Sequence, residues 1–359
     1  MSVELARDEA AHAVDIARGV GGIAGHDFAR DACSTVHFAR LYGGYARLTV
    51  FRRSAIDTNG QRRRRLPLAV VVLVALLSLG SAGAARSGRS TRPPRRPAHI
   101  AVVVLENTEY GSIVGSRNAP YLNSLIRRGG LATRFYGTTH PSLPNYLALL
   151  GGSTFGVDSN CDDCKLANTN LIDQLENRGF TWKAYMDGAP SACFKGASHG
   201  SYTRHHNPFV YFTDIADDSG RCSRIVPLTQ LGKDIRAKAV PSFVWITPDE
   251  CHDMHSCSVR TADRFLAGLL PRLLASLGRN GVLFVTWDEG DSDAGCCTYA
   301  RGGHIATIVA GGRARRAARL RVASDHYSLL RTIEQLWSLP LLRHAGCGCT
   351  RSLMPLLAR

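Results

Sequence analysis

The chain has 359 residues, 45% hydrophobic and 20% charged, with a formal net charge of +15. That balance excludes a disordered tail and a bundle of membrane spans, and it leaves enough apolar sequence for one large core. The arginine excess favours anionic lipid or envelope polymers as surfaces to adhere to, whereas nucleic acid is not expected because no recognised binding module accompanies the charge.

Residues 1–61 show no convincing apolar periodicity and read as an N-terminal extension, either a start site placed too far upstream or a cytoplasmic tail. Residues 62–85 follow the layout of a secretory signal: Arg62 to Arg65, the apolar run that begins at Leu66, then the small residues Ala82-Gly83-Ala84. The apolar core is short for a spanning helix, which needs roughly 20 residues. Cleavage after Ala84 and secretion are therefore expected, with an uncleaved N-terminal anchor as the second reading. Residues 86–98 are rich in arginine and proline and form a tether.

From residue 99 to 359 short β-branched runs alternate with amphipathic segments. "HIAVVVLE", "TWKAYM", "PSFVWIT", "GVLFVTWDE" and "HIATIVAG" read as strands; "APYLNSLIRRGG", "NLIDQLENRGF", "LTQLGKDIRAKA", "TADRFLAGLLPRLLASLG" and "HYSLLRTIEQLWSL" read as helices. The alternation predicts a single α/β domain with a largely parallel central sheet flanked by helices.

Two of the predicted strands run straight into acids, Glu106-Asn107 after "IAVVVL" and Asp288-Glu289 after "GVLFVTW". One such pair is commonly a solvated loop. Two pairs at strand ends, where open α/β sheets gather their active groups, make an oxygen-rich site for a divalent cation that offsets the carboxylates' mutual repulsion. Between them lies "THPSLPNYLALLGG", in which Pro144 suits the first turn of a helix and Ser142 its N-terminus. Ser142 is then either an N-cap or a nucleophile, its hydroxyl pKa lowered by the cation. A phosphate would lie against the helix N-terminus with Asn145 donating an amide hydrogen bond.

"VVLENTEYGSIVG", "THPSLPNYLALLGGSTFG", "RHHNPFVYF", "DMHSCS", "VTWDEGD" and "DHYSLLRTIEQLWSLP" occur in this order. From His99 to about Pro340 the chain resembles the bacterial phosphoesterase family of secreted acid phosphatases and phosphatidylcholine-type phospholipases C. Its nearest likeness is to the actinobacterial phosphatidylinositol-3-phosphate phosphatases, within the alkaline-phosphatase-like superfamily. The resemblance implies that Glu106, Asn107, Asp288 and Glu289 bind metal, that Ser142 is the nucleophile, and that Asn145 contacts phosphate. By the same resemblance His206 and His255 are catalytic and His326 contacts substrate. Asp253 is either a further metal ligand or a carboxylate orienting a histidine, and Asp249 departs from the family pattern, which favours asparagine. His140, His199, His205, His252 and His304 receive no role. The implied activity is metal-dependent hydrolysis of phosphate monoesters through a phosphoserine, with lipid phosphates at a membrane surface among the substrates. A phospholipase C-type diesterase is the alternative, and a catalytically inactive envelope-binding protein is the non-enzymatic one.

Of eleven cysteines only Cys33 precedes the expected cleavage, and the other ten fall largely into local sets, Cys161/Cys164, Cys251/Cys257, Cys296/Cys297 and Cys347/Cys349. In an exported chain these read as disulfides in preference to a structural zinc site.

Overall fold

The computed structural model describes residues 96–358. The N-terminal extension, the expected signal segment and most of the tether lie outside them. Among the described residues the strands are β1 (Ile100–Leu105), β2 (Gly130–Tyr136), β3 (Trp182–Met186), β4 (Ser198–His199), β5 (Tyr202–Thr203), β6 (Ile225–Pro227), β7 (Phe243–Thr247), β8 (Val282–Trp287), β9 (His304–Ala310), β10 (Ala318–Leu320) and β11 (Ser324–Asp325). The helices are α1 (Tyr110–Ile113), α2 (Pro120–Arg128), α3 (Ser142–Gly151), α4 (Leu171–Asn177), α5 (Thr213–Ala216), α6 (Ser219–Cys222), α7 (Thr229–Arg236), α8 (Val259–Leu277) and α9 (His326–Trp337).

One mixed sheet has the order β10-β2-β9-β8-β1-β7-β3-β6, with β11 added beside β2. Its pairings are parallel except those of β9 with β2 and with β8, and β4 and β5 form a separate hairpin. The parallel character expected from the alternation therefore holds for all but one strand. Central strands β1 and β8 are buried at every position, which is why both read as unbroken apolar runs: layers cover them on both faces. Their register sets the chemistry. Leu105 pairs with Trp287, so Glu106 and Asp288 leave neighbouring strands side by side, tied by a 2.9 Å bond from the Asp288 N–H to the Leu105 carbonyl. On the other flank of β1, the Glu106 N–H donates to the Asp253 carbonyl at 2.9 Å and draws in the loop after β7.

Helix α3 is buried at all ten positions, and that allows no polar face. It follows β2 through residues 137–141. Here Gly137 and Gly302 meet so closely that a Cβ on Gly137 would lie 2.3 Å from the Gly302 carbonyl oxygen. At the start of α9, Asp325 and Ser328 form a reciprocal capping box that fixes His326 at the first helical position.

Candidate active site

The expected site residues converge at the carboxyl ends of β1, β7 and β8. Ser142 is not an N-cap: that position belongs to Pro141, and the Ser142 hydroxyl instead donates to Glu106 Oε2 at 3.1 Å. Tyr146, one turn along α3, donates its hydroxyl to Glu106 Oε1. One carboxylate thus holds two residues of the same helix, an i, i+4 pair on one face. His206 places Nε2 3.3 Å from Glu106 Oε2 and Nδ1 3.5 Å from Asp253 Oδ2, while its ring stacks on Tyr146.

Asp288 Oδ1 accepts from the backbone N–H groups of Asn107 at 3.2 Å and Glu289 at 2.6 Å. Asn107 takes a left-handed backbone, φ 38°, which asparagine tolerates, and its side-chain nitrogen, turned to the acids, reaches Glu289 Oε1 at 3.2 Å and Glu106 Oε2 at 3.1 Å. Met254, at φ 92°, kinks the loop so that Asp253 Oδ1 accepts from the His255 N–H at 2.8 Å.

Four carboxylates therefore crowd into one buried volume. Glu106, Asp253 and Asp288 are fully buried and Glu289 nearly so. Burial pushes every one of them up: Asp288 to about 6, Asp253 to about 8, Glu289 to about 9, and Glu106 well above the carboxylate range, where Asp288 and Asp253 add repulsion. Asp253 Oδ2, Asp288 Oδ2 and His206 Nε2 are buried without a hydrogen-bond partner. Orphaned acceptors of this kind are costly unless something cationic meets them, and one ligand atom each from Glu106, His206 and Asp253 lie within 4.8 Å of one another. The donor set fits a divalent cation.

Several assignments shift. Burial and neighbouring His255 hold His206 down to about 3, so its ring is neutral at mildly acidic pH and is a poor proton donor to a leaving group. His255 is exposed, its ring 6.3 Å from that of His206. Asn145 spends its amide on the 138–141 loop that leads into Ser142. Its Oδ1 accepts from the Thr138 and Thr139 N–H groups, and its Nδ2 faces the carbonyls of Thr139 and Pro141 and Glu289 Oε2, at 2.7, 3.1 and 3.2 Å. Of the first-turn donors of α3, the Leu143 N–H is bonded to Asn160 Oδ1 at 2.9 Å and Pro144 has none. His326 is fully buried, with Nδ1 3.0 Å from the Thr138 hydroxyl and Nε2 3.1 Å from the Trp287 carbonyl. In this arrangement it braces the loop and strand beneath the site.

Two residues escaped the sequence reading. Tyr146 looked like one more apolar position in "NYLALL". His140, given no role, lies with Nδ1 3.0 Å from Glu289 Oε2. Asp249, the departure from the family pattern, faces His252 Nδ1 at 3.0 Å, and Asp187 faces the same nitrogen at 2.8 Å.

The model of the Phosphoesterase family matches residues 112–340. The chain belongs to that family. As a phosphoesterase it is a hydrolase acting on phosphoric ester bonds. It is 32% identical over 250 residues to a phosphatidylinositol-3-phosphatase of Mycobacterium tuberculosis, across 69% of this chain and 79% of that one. It is 30% identical over 261 residues to a phosphate-repressible acid phosphatase of Penicillium chrysogenum, across 68% of this phosphoesterase but only 60% of the fungal protein. A Vibrio parahaemolyticus protein of the alkaline phosphatase superfamily superposes with a TM-score of 0.50 at 13% identity, covering 70% of each chain, and so shares the fold. A lipoteichoic acid synthase of Listeria monocytogenes does so with a TM-score of 0.50 at 10% identity, over 73% of this phosphoesterase and 76% of that chain.

The phosphoesterase's ten described cysteines form five disulfides, Cys161–Cys164, Cys193–Cys222, Cys251–Cys257, Cys296–Cys297 and Cys347–Cys349. That arrangement fits an oxidising, extracytoplasmic location. Among the described residues no helix is long and apolar enough to cross a membrane.

Proposed function

We propose that the protein is an exported, metal-dependent acid phosphatase that cleaves phosphate monoesters through a phosphoserine on Ser142. The observation that carries this reading is the Ser142 hydroxyl directed at Glu106, inside four buried carboxylates that no lysine or arginine among the described residues neutralises. A divalent cation, which Glu106, Asp288, Glu289 and Asp253 would hold together with His206 and, through its side-chain oxygen alone, Asn107, would supply the positive charge that acidifies the serine hydroxyl and draws electrons from the phosphoryl group.

The chain's own residues do the rest. The hydrogen bond to Glu106 turns an Oγ lone pair outward for in-line attack, and as the Oγ–P bond forms the serine O–H bond breaks, its proton passing along that hydrogen bond to Glu106 Oε2. The P–O bond to the alcohol breaks with its electron pair, and the proton that this oxygen takes is the part this reading gives to exposed His255, whose ring lies 6.3 Å from that of His206. Water then hydrolyses the phosphoserine, releasing inorganic phosphate. Asn145 and His326 act by position, holding the 138–141 loop so that Ser142 keeps its aim.

Acid phosphatase names among the relatives support the monoester class, and the mycobacterial relative's name brings phosphoinositides into it. Quenching turnover of a nitrophenyl phosphate in acid and mapping the label tests the route. Phosphate on the peptide that contains Ser142 is expected; label-free protein during steady turnover would leave direct attack by water in its place.

A further inference from the structure

The arginine-rich stretch "GGRARRAARLR" plays no part in the site, yet it shapes a surface of its own. Between this segment, β10 and the C-terminal residues 351–358 lies a groove of about 870 Å³. Val322, Met354 and Leu357 line it together with Arg313, Arg315 and Arg351. Val322 is 45% exposed and Met354 37%, so large apolar side chains stand in water beside guanidinium groups. Arg316 and Arg321 flank them, also exposed. The same rim receives the chain's entry: Asn280 donates to the Arg96 carbonyl at 2.6 Å and accepts from Arg313 at 3.1 Å. The described residues therefore begin at this face with Arg96, which follows Arg86, Arg89, Arg92 and Arg95 in the sequence. β10 pairs with the first residues of β2, Ala318 with Gly130, whereas the nucleophile loop follows the last residues of β2. Groove and active site thus lie toward opposite ends of that strand.

We infer that this rim docks on an anionic lipid bilayer, Arg315, Arg316, Arg321 and Arg351 on the headgroups and Val322 and Met354 dipping below them, with the active site turned to the water and to soluble phosphate monoesters and not to lipids of the same bilayer. Interleaved arginine and exposed apolar side chains match an interface that is anionic at the surface and apolar beneath. A soluble polyanion would engage the arginines and leave Val322 and Met354 in water.

The full chain carries its own apolar N-terminal run, so the readout has to be local. Hydrogen exchange of 311–322 and 351–358 should slow on adding phosphatidylglycerol-containing vesicles and remain unchanged with phosphatidylcholine alone. Arg316→Glu with Arg351→Glu should weaken that protection at least tenfold in lipid concentration, and Val322→Ser with Met354→Ser about threefold. Melting temperature and hydrolysis of a soluble aryl phosphate should stay unchanged in all. If a variant melts early, Arg351→Gln replaces it in the same assay. Absence of protection in these segments overturns the proposal. So does equal protection in the charge-reversed variant, or protection by soluble polyphosphate combined with indifference to the Val322 and Met354 changes.

Discussion

Two acidic clusters in this molecule are built to different ends. Near α4, Asp173, Glu176 and Asp214 surround Arg221, whose guanidinium reaches Asp173 at 2.9 Å and Glu176 at 2.8 Å, while Arg224 takes the other Glu176 oxygen at 2.6 Å. That cluster is partly solvated and carries its own counter-charge. At the ends of β1 and β8 and in the loop after β7, Glu106, Asp288, Glu289 and Asp253 are deeper, and their partners are hydroxyls, amides and histidines. An acidic group that a protein intends for structure is neutralised from within the chain. One left uncompensated in the dry interior implies that the counter-charge comes from outside.

The sharpest way to break this contrast is at Ser142. Ser142→Ala should lower kcat by roughly three or more orders of magnitude while shifting stability by no more than about 1 kcal/mol, because the hydroxyl caps no helix. Steady-state kinetics beside thermal melting reads both. A nearly active variant would return the residue to a structural role.

Exchanging one charge in each cluster should give mirrored results. Asp288→Asn is expected to abolish stoichiometric divalent metal by elemental analysis and to cut kcat/KM by roughly a hundredfold or more, with the metal-free fold no less stable, since it removes repulsion with Glu106. Arg221→Ala should leave kcat unchanged and cost about 1–3 kcal/mol in denaturant unfolding, because it leaves partly buried Asp173 and Asp214 without their cation while Glu176 keeps Arg224. Metal loss in the second variant, or none in the first, would erase the distinction.

Protons should tell the same story with a definite sign. In chelated protein the site carboxylates have raised folded pKa values, so the folded state binds more protons than the unfolded one, and stability falls as pH rises from about 4 through the folded values, about 6 for Asp288 and about 8 for Asp253. Melting temperature with chelator should therefore decline between pH 5 and 9. The stabilisation gained on adding divalent cation should grow over the same range, since fewer protons have to leave. A flat difference would mean that the ion binds elsewhere.

The smallest effect belongs to Tyr146. Tyr146→Phe removes one hydroxyl from Glu106 and should lower kcat about three- to tenfold, with the pH profile of kcat/KM displaced. No displacement would make Tyr146 a packing residue.

The strand-end acids were legible because a buried parallel strand announces itself as an apolar run and whatever follows it must emerge at the active edge. β2 was not, since "GLATRFY" carries glycine and an exposed arginine and sits second from the edge. The reversed direction of β9 was equally hidden: "HIATIVAG" has the same pattern read either way, and only partners decide polarity. The contact of His326 with Thr138 spans 188 residues of chain and that of Asn145 with Glu289 spans 144, which no local pattern encodes, although Asn145 bonds the 138–141 loop from only four to seven residues away. The Cys193–Cys222 bridge, 29 residues apart, was missed for the same reason, while the short-range cysteine sets paired as grouped.

The abutment of Gly137 and Gly302 bears on how this enzyme can be altered. A methyl group on either would strike main chain, the Gly302 carbonyl in one case and the Thr139 carbonyl at 2.4 Å in the other. Neither obstacle can rotate away as a side chain would. Randomised libraries that seek new substrate ranges would waste every variant at these two codons. Diversity is better invested in 197–201, an exposed stretch that precedes His205 and His206 in the chain and lies outside the 137–142 loop, leaving His206 and Cys193 untouched.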